Sequence, residues 1–141
     1  MFRLPAIALS LLFITIGCES NQVTQPASNE AVETGTVSFE VILSEDGQES
    51  IQFDVSDVAK GSTLESVMRA IDPEDLTLEI SGGGLTAFVV SINDQTGGSQ
   101  SGWVYTVDGD NPDVGIGGFE LDPPTTVRWK IASFDEIADN N

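Results

Sequence analysis

The chain has 141 residues, with 23 acidic side chains against 5 basic ones, no histidine, one cysteine and a formal charge of −18 at pH 7. So few cations cannot neutralise a phosphate backbone, which excludes nucleic acid as a partner. Without histidine, and with Cys18 alone, there can be no internal disulfide, Cys/His zinc site, Ser-His-Asp triad or Cys-His pair.

Residues 1–17 read as a targeting leader. Arg3 gives a short positive start, and Ala6 to Ile16 is apolar except for Ser10 and Thr15. That run is shorter than the ~20 apolar residues of a membrane span, but it matches a signal-peptide core. It ends Ile14-Thr15-Ile16-Gly17-Cys18. This resembles the bacterial lipoprotein signal, in which a small residue precedes the cysteine that becomes lipidated; Thr15 stands where that signal prefers Leu. The resemblance implies that Cys18 becomes the mature N-terminus and holds the protein to a lipid bilayer through its acyl chains. Each buried methylene contributes about 0.8 kcal/mol to such an anchor. Glu19, where Asp would mark inner-membrane retention, leans towards the outer membrane of a bacterial cell envelope. The alternative is ordinary secretory cleavage. Loss of Arg3 with the leader makes the mature chain still more acidic. Residues 18–35 hold Ser, Asn, Gln, Thr, Glu, Pro and Ala with scarcely any large apolar group. They cannot bury enough surface to offset ordering entropy and are expected to form a flexible tether.

The folded part is expected over residues 36–134. Val37, Phe39, Val41 and Leu43 form one face with Ser38, Glu40 and Ile42 on the other, and Ile51, Phe53 and Val55 alternate with Gln52 and Asp54 beyond a turn at Ser44 to Gly47. This spacing predicts a β-hairpin. Ser62-Thr63-Leu64-Glu65 fits a capping box with Ser62 as N-cap. Leu64, Val67, Met68 and Ile71 then form one helical stripe, stopped by Asp72-Pro73. On this reading Ser62→Ala costs about 1 kcal/mol. Leu76, Leu78 and Ile80 predict a short strand, Ser81 to Gly84 a turn, and Ala87 to Ile92 a strand apolar on both faces and therefore central. Residues 93–101 read as a loop. Trp103, Tyr105 and Val107 alternate, Asp108-Gly109 signals a turn, and a glycine-rich loop leads past Pro123-Pro124 to Val127, Trp129 and Ile131. Arg128 and Lys130 face the other way. Residues 135–141 form an acidic tail. One helix on a small mixed or antiparallel sheet gives an α+β, β-grasp-like fold.

Gly102-Trp103-Val104-Tyr105-Thr106-Val107-Asp108-Gly109 resembles the Gly-Trp-Met-Tyr-x-Val-Asn-Gly signature of the transcobalamin-like C-terminal domain family. Gly115 to Phe119, Leu121 and Val127-Arg128-Trp129 resemble that family's closing portion, and the hairpin, helix and Phe88 to Ile92 strand fall in its order. Two positions depart: Asp122-Pro123-Pro124-Thr125 replaces an Asp-Gly-Asp, and Ile131 replaces a Tyr. In vertebrate cobalamin carriers this module closes over cobalamin held against a helical domain. The resemblance thus implies cobalamin as a candidate ligand, with a partner supplying the other half of the site. Many bacterial members are surface proteins without an assigned function.

Trp103, Tyr105 and Trp129 are either a flat surface for a ring-shaped ligand or the anchors of the core. Asp108, Asp110 and Asp113 with Asn111 are either oxygen donors for calcium or solvated turn residues. The EF-hand pattern fails there, because Pro112 takes its fifth position and no glycine follows. The loops 93–101 and 108–118 are where a rigid scaffold would carry binding residues. No catalytic constellation is visible and no cofactor is required. The expected function is a non-catalytic binding module, for a cobalamin-type small ligand, with Trp103, Tyr105, Asp108, Asp110, Asn111 and Trp129 as its site. The alternative is a structural or protein-interaction module of the cell surface.

Overall fold

The structure, a computed structural model, describes residues 31–44, 46–133 and 135–136. The leader, Cys18, most of the tether and residues 137–141 lie outside the described residues.

β1 (Thr34–Ile42) and β2 (Ser50–Ala59) form the expected antiparallel hairpin. Val37 faces Val55, Phe39 faces Phe53 and Val41 faces Ile51. The Phe39 and Phe53 rings stack with centroids 5.2 Å apart. Val37, Phe39 and Val41 are fully buried, as period-two alternation against one covered face requires. Arg128 donates from Nε to a Glu40 carboxylate oxygen at 2.6 Å on the outer face.

The chain ends on two strands. β6 (Ser101–Val107) pairs antiparallel with β7 (Thr125–Ser133), and β7 lies parallel to β1. The four-stranded order is β2-β1-β7-β6. A parallel pair needs a long crossover, and here its part between β2 and β6 builds the rest of the fold. That is helix α1 (Leu64–Arg69) and an antiparallel sheet of β3 (Leu78–Ser81), β4 (Phe88–Ile92) and β5 (Gln95–Thr96). The fold is α+β and β-grasp-like, with two sheets rather than one. β4 is central in the smaller sheet, as its apolar composition predicts. Leu64, Met68, Leu76, Ile92, Leu121, Val127 and Trp129 fill the space between sheets and helix. Among the described residues no helix is long and apolar enough to cross a membrane.

Four local expectations are corrected. The helix is shorter than 62–71, and its N-cap is Thr63, not Ser62. The Ser62 backbone is already committed, its N–H to Ala59 and its carbonyl to Leu121. Thr63 is therefore the last extended residue, and its Oγ1 accepts from the Ser66 N–H at 3.2 Å. Glu65 does not complete a capping box. It accepts from Arg69 Nε and from the Gly84 N–H, both at 2.9 Å, and so ties the helix to the glycine turn. The predicted 93–101 loop contains β5, because Asn93 and Asp94 adopt φ of 47° and 62° and reverse the chain within two residues. Ile131 stands opposite Trp103 as its spacing predicts but is 37% exposed, and Ala132 is buried in its place, so the inside-outside alternation breaks at that end of β7.

The loop between β6 and β7 caps the helix. Leu64 donates its N–H to Phe119 and Glu65 to Ile116, satisfying two of the amides that a helix start leaves open. The loop closes on the 82–84 turn so tightly that a Cβ on Gly117 would lie 1.9 Å from the Gly84 carbonyl oxygen. Gly117→Ala is therefore expected to lower stability by about 1–3 kcal/mol, read as a drop in urea midpoint. Thr63→Ala is expected to cost about 1 kcal/mol. Ser62→Ala leaves the midpoint unchanged; equal losses at the two positions would contradict the cap assignment.

Candidate functional site

The site is built from the end of β6. Val107 and Asp110 exchange both backbone hydrogen bonds around Asp108-Gly109. Both central residues have positive φ, 52° and 94°, the geometry that Asp-Gly accommodates best in a two-residue hairpin turn. Asp108 then turns its carboxylate onto the start of β7. It accepts from Thr125 Oγ1 at 2.6 Å and from the Thr126 N–H at 2.8 Å, while its own N–H donates to the Thr126 carbonyl. Both carboxylate oxygens thus hold the strand entrance.

Beyond the turn the chain folds back beside β6, and the Tyr105 hydroxyl donates to the Val114 carbonyl at 2.7 Å. Between this loop and the strand lies an open cleft of about 650 Å³. The consecutive residues Trp103 to Thr106 line it. Neighbours on a strand point to opposite faces, so the cleft follows the edge of β6, the end strand of its sheet, and reaches across to Lys130 and Ala132 on β7. Asn111, Pro112 and Asp113 form the loop side, with Lys130 and Glu136 beyond the strand, joined at 2.5 Å. A smaller hollow of about 310 Å³ shares Asn111 and Pro112 and adds Asp110, Glu120 and Asp122.

Of the six residues singled out from sequence, Trp103, Tyr105 and Asn111 meet in the cleft, and Asp110 lines the neighbouring hollow. Asp108 also borders that hollow while holding β7. Trp129 is 1% exposed and belongs to the core, its ring 5.2 Å from that of Tyr105. Its indole N–H is buried without a hydrogen-bond partner among the described residues. Trp103 is mostly buried and donates its indole N–H to the Gln95 carbonyl at 2.8 Å. Among the described residues no three carboxylates gather closely enough to hold a metal ion. Sequence reasoning missed Pro112, Val114 and Lys130 as lining residues. Lys130 was legible only as an outward position on its strand, because nothing local shows which loop folds past it.

With this geometry in view, the sequence matches the family described as "Domain of unknown function (DUF4430)" over residues 61–133, just over half of the chain. The protein belongs to that family. No curated protein matches it. Two solved structures share the fold at a TM-score of 0.56 each, and each match covers 70% of this chain. One is a "putative metal binding protein" from Ruminococcus gnavus, 18% identical and covered over 97% of its length. The other is haptocorrin in complex with Cbi, 17% identical and covered over only 25% of its length. The transcobalamin-like fold expected from the Gly102–Gly109 signature is therefore present.

Burial raises the Tyr105 hydroxyl to about 12 from its ordinary value of 10.0. The folded state keeps this proton in a range where the unfolded chain has already released it. The contribution to stability is fully present below pH 10.0 and is lost as pH rises through about 12. Tyr105 is the only tyrosine, so tyrosinate absorbance reports it alone. A midpoint near 12 is expected in the folded chain and one near 10.0 in urea. Coincident midpoints would contradict the placement of this hydroxyl under the Val114 loop.

Proposed function

We propose that this chain is a membrane-anchored lipoprotein of a bacterial cell envelope whose folded part is a non-catalytic binding module, taking a cobalamin-type ligand in the cleft along β6. The cleft carries the reading. It is open on one side, as a site for a large ring must be if a partner covers the other half. It joins the flanks of Trp103 and Tyr105 to the polar groups of Asn111, Asp113 and Lys130. Such a mixture of apolar walls and a few placed polar groups is the usual make-up of a small-molecule site. Haptocorrin, a structure in complex with Cbi, supports the choice of ligand because it shares the fold. The absence of histidine supports binding over catalysis. The leader and the Gly17-Cys18 junction support the anchor, through acyl chains on Cys18, with the outer membrane favoured by Glu19.

The test is calorimetric titration of the full chain, in mild detergent, with cobalamin and with cobinamide. Saturable heat at micromolar or tighter affinity is expected, weakened roughly tenfold by Asn111→Ala through loss of one hydrogen bond. No heat from a chain folded by circular dichroism would remove self-sufficient corrinoid capture. The anchor is tested separately: Cys18→Ala is expected to abolish labelling by palmitate and release the protein from the membrane fraction.

A further inference from the structure

A second hollow shares no residue with the cleft. It lies between α1 and β3, has a volume of about 390 Å³, and is walled by Met68, Ile71, Leu76, Leu78 and Ile80. Leu78 and Ile80 alternate with exposed Glu79 and Ser81, so one face of β3 looks into the groove. β3 is an end strand of the three-stranded sheet. Among the described residues it pairs only with β4, leaving its other edge of N–H and carbonyl groups unused.

The rim is acidic. Asp72, Glu74 and Asp75 are exposed and interleave in sequence with the lining residues Ile71, Pro73 and Leu76, while exposed Glu79 stands on the opposite face of β3. The one cation lining the groove, Arg69, is engaged by Glu65 and by the Gly82 carbonyl. Each of the other described cations is likewise paired with an acid: Lys60 with Asp122, Arg128 with Glu40, and Lys130 with Glu136. Among the described residues no cation without an acidic partner is left to offset these acids.

We propose that β3 and this groove form a docking site for an extended, basic segment of a partner protein, added as a further strand on the open edge of β3. Backbone pairing to β3 would supply affinity, as in other cases of strand addition. Every second side chain of the added strand falls on the groove face, so those positions must be apolar. The intervening ones fall on the face that carries exposed Glu79, whose carboxylate is neutralised by no cation and accepts only from Ser91 Oγ at 3.4 Å among the described residues, so Lys or Arg suits them. Charge selects against a second copy of this chain, because two acidic rims would be brought together.

The experiment uses the full chain and a fluorescent peptide of about six residues, the length of an ordinary strand, alternating Val and Lys. Saturable binding that weakens with salt is expected, with slowed amide exchange at Leu78 to Ser81. A counterpart with Glu in place of Lys is expected not to bind. The double variant Glu74→Lys, Asp75→Lys changes only exposed positions and is expected to weaken binding roughly tenfold or more with an unchanged circular dichroism spectrum. Absence of binding, binding unaffected by the reversed rim, or protection that appears on β2 or β6 instead would each overturn the proposal. So would self-association that protects β3, since the occupant would then be a second copy.

Discussion

The parallel pairing of β1 with β7 is the constraint on which the rest of the molecule depends. Val37, Phe39 and Val41 lie beside Thr125, Val127 and Trp129, and the first and last strands of the domain thereby form the middle of the larger sheet. No short turn can join parallel neighbours. The intervening chain must leave one end of the sheet, cross its face and return, and its helix and small sheet bury their apolar sides in doing so. Leu64 and Met68 from the helix, and Leu76 and Ile92 from the crossover, are fully buried against this pair. The core is complete only when the first and last strands of the domain are both in place.

The loop between β6 and β7 does three things at once because it is irregular. Its carbonyls at Ile116 and Phe119 satisfy amides at the helix start. Its Val114 carbonyl receives the Tyr105 hydroxyl. Its backbone meets the Gly84 carbonyl at a distance that only glycine permits at position 117. A regular strand would spend those backbone groups on a neighbour and leave none for the helix or the tyrosine. The same irregularity opens the cleft, since a loop that stands off β6 leaves space a paired strand would close. In this way the functional surface follows from how the loop's polar groups are satisfied.

Charge gives the two hollows different characters. Along β6 the cleft carries Lys130 and Glu136 as an ion pair, with Asp113 and neutral and aromatic groups beside them. The groove beside β3 is apolar inside and acidic outside. The two lie on different elements and share no lining residue.

The alternation in β1, β2, β6 and β7 was legible in the sequence, as were the apolar stripe of α1 and the Asp108-Gly109 turn. Each depends on neighbours within a few residues, where side-chain period and turn stereochemistry are local properties. The Gly102–Gly109 signature also carried the kind of fold. Local reading failed where distant backbone competed. Ser62 looked like a cap until Leu121 claimed its carbonyl, and Glu65 looked like half a capping box, but the Ser62 N–H goes to Ala59 and Glu65 takes the Gly84 N–H. Asp108 and Trp129 have the chemistry of site residues, but one holds the entrance to β7 and the other lies in the core. The sequence by itself determined the strands of the larger sheet, the apolar stripe of the helix and that the surface is acidic, because composition and period are written along the chain. Only the tertiary structure decided which strand edges stay open and which loop stands off β6, since these depend on the long-range pairing of β1 with β7.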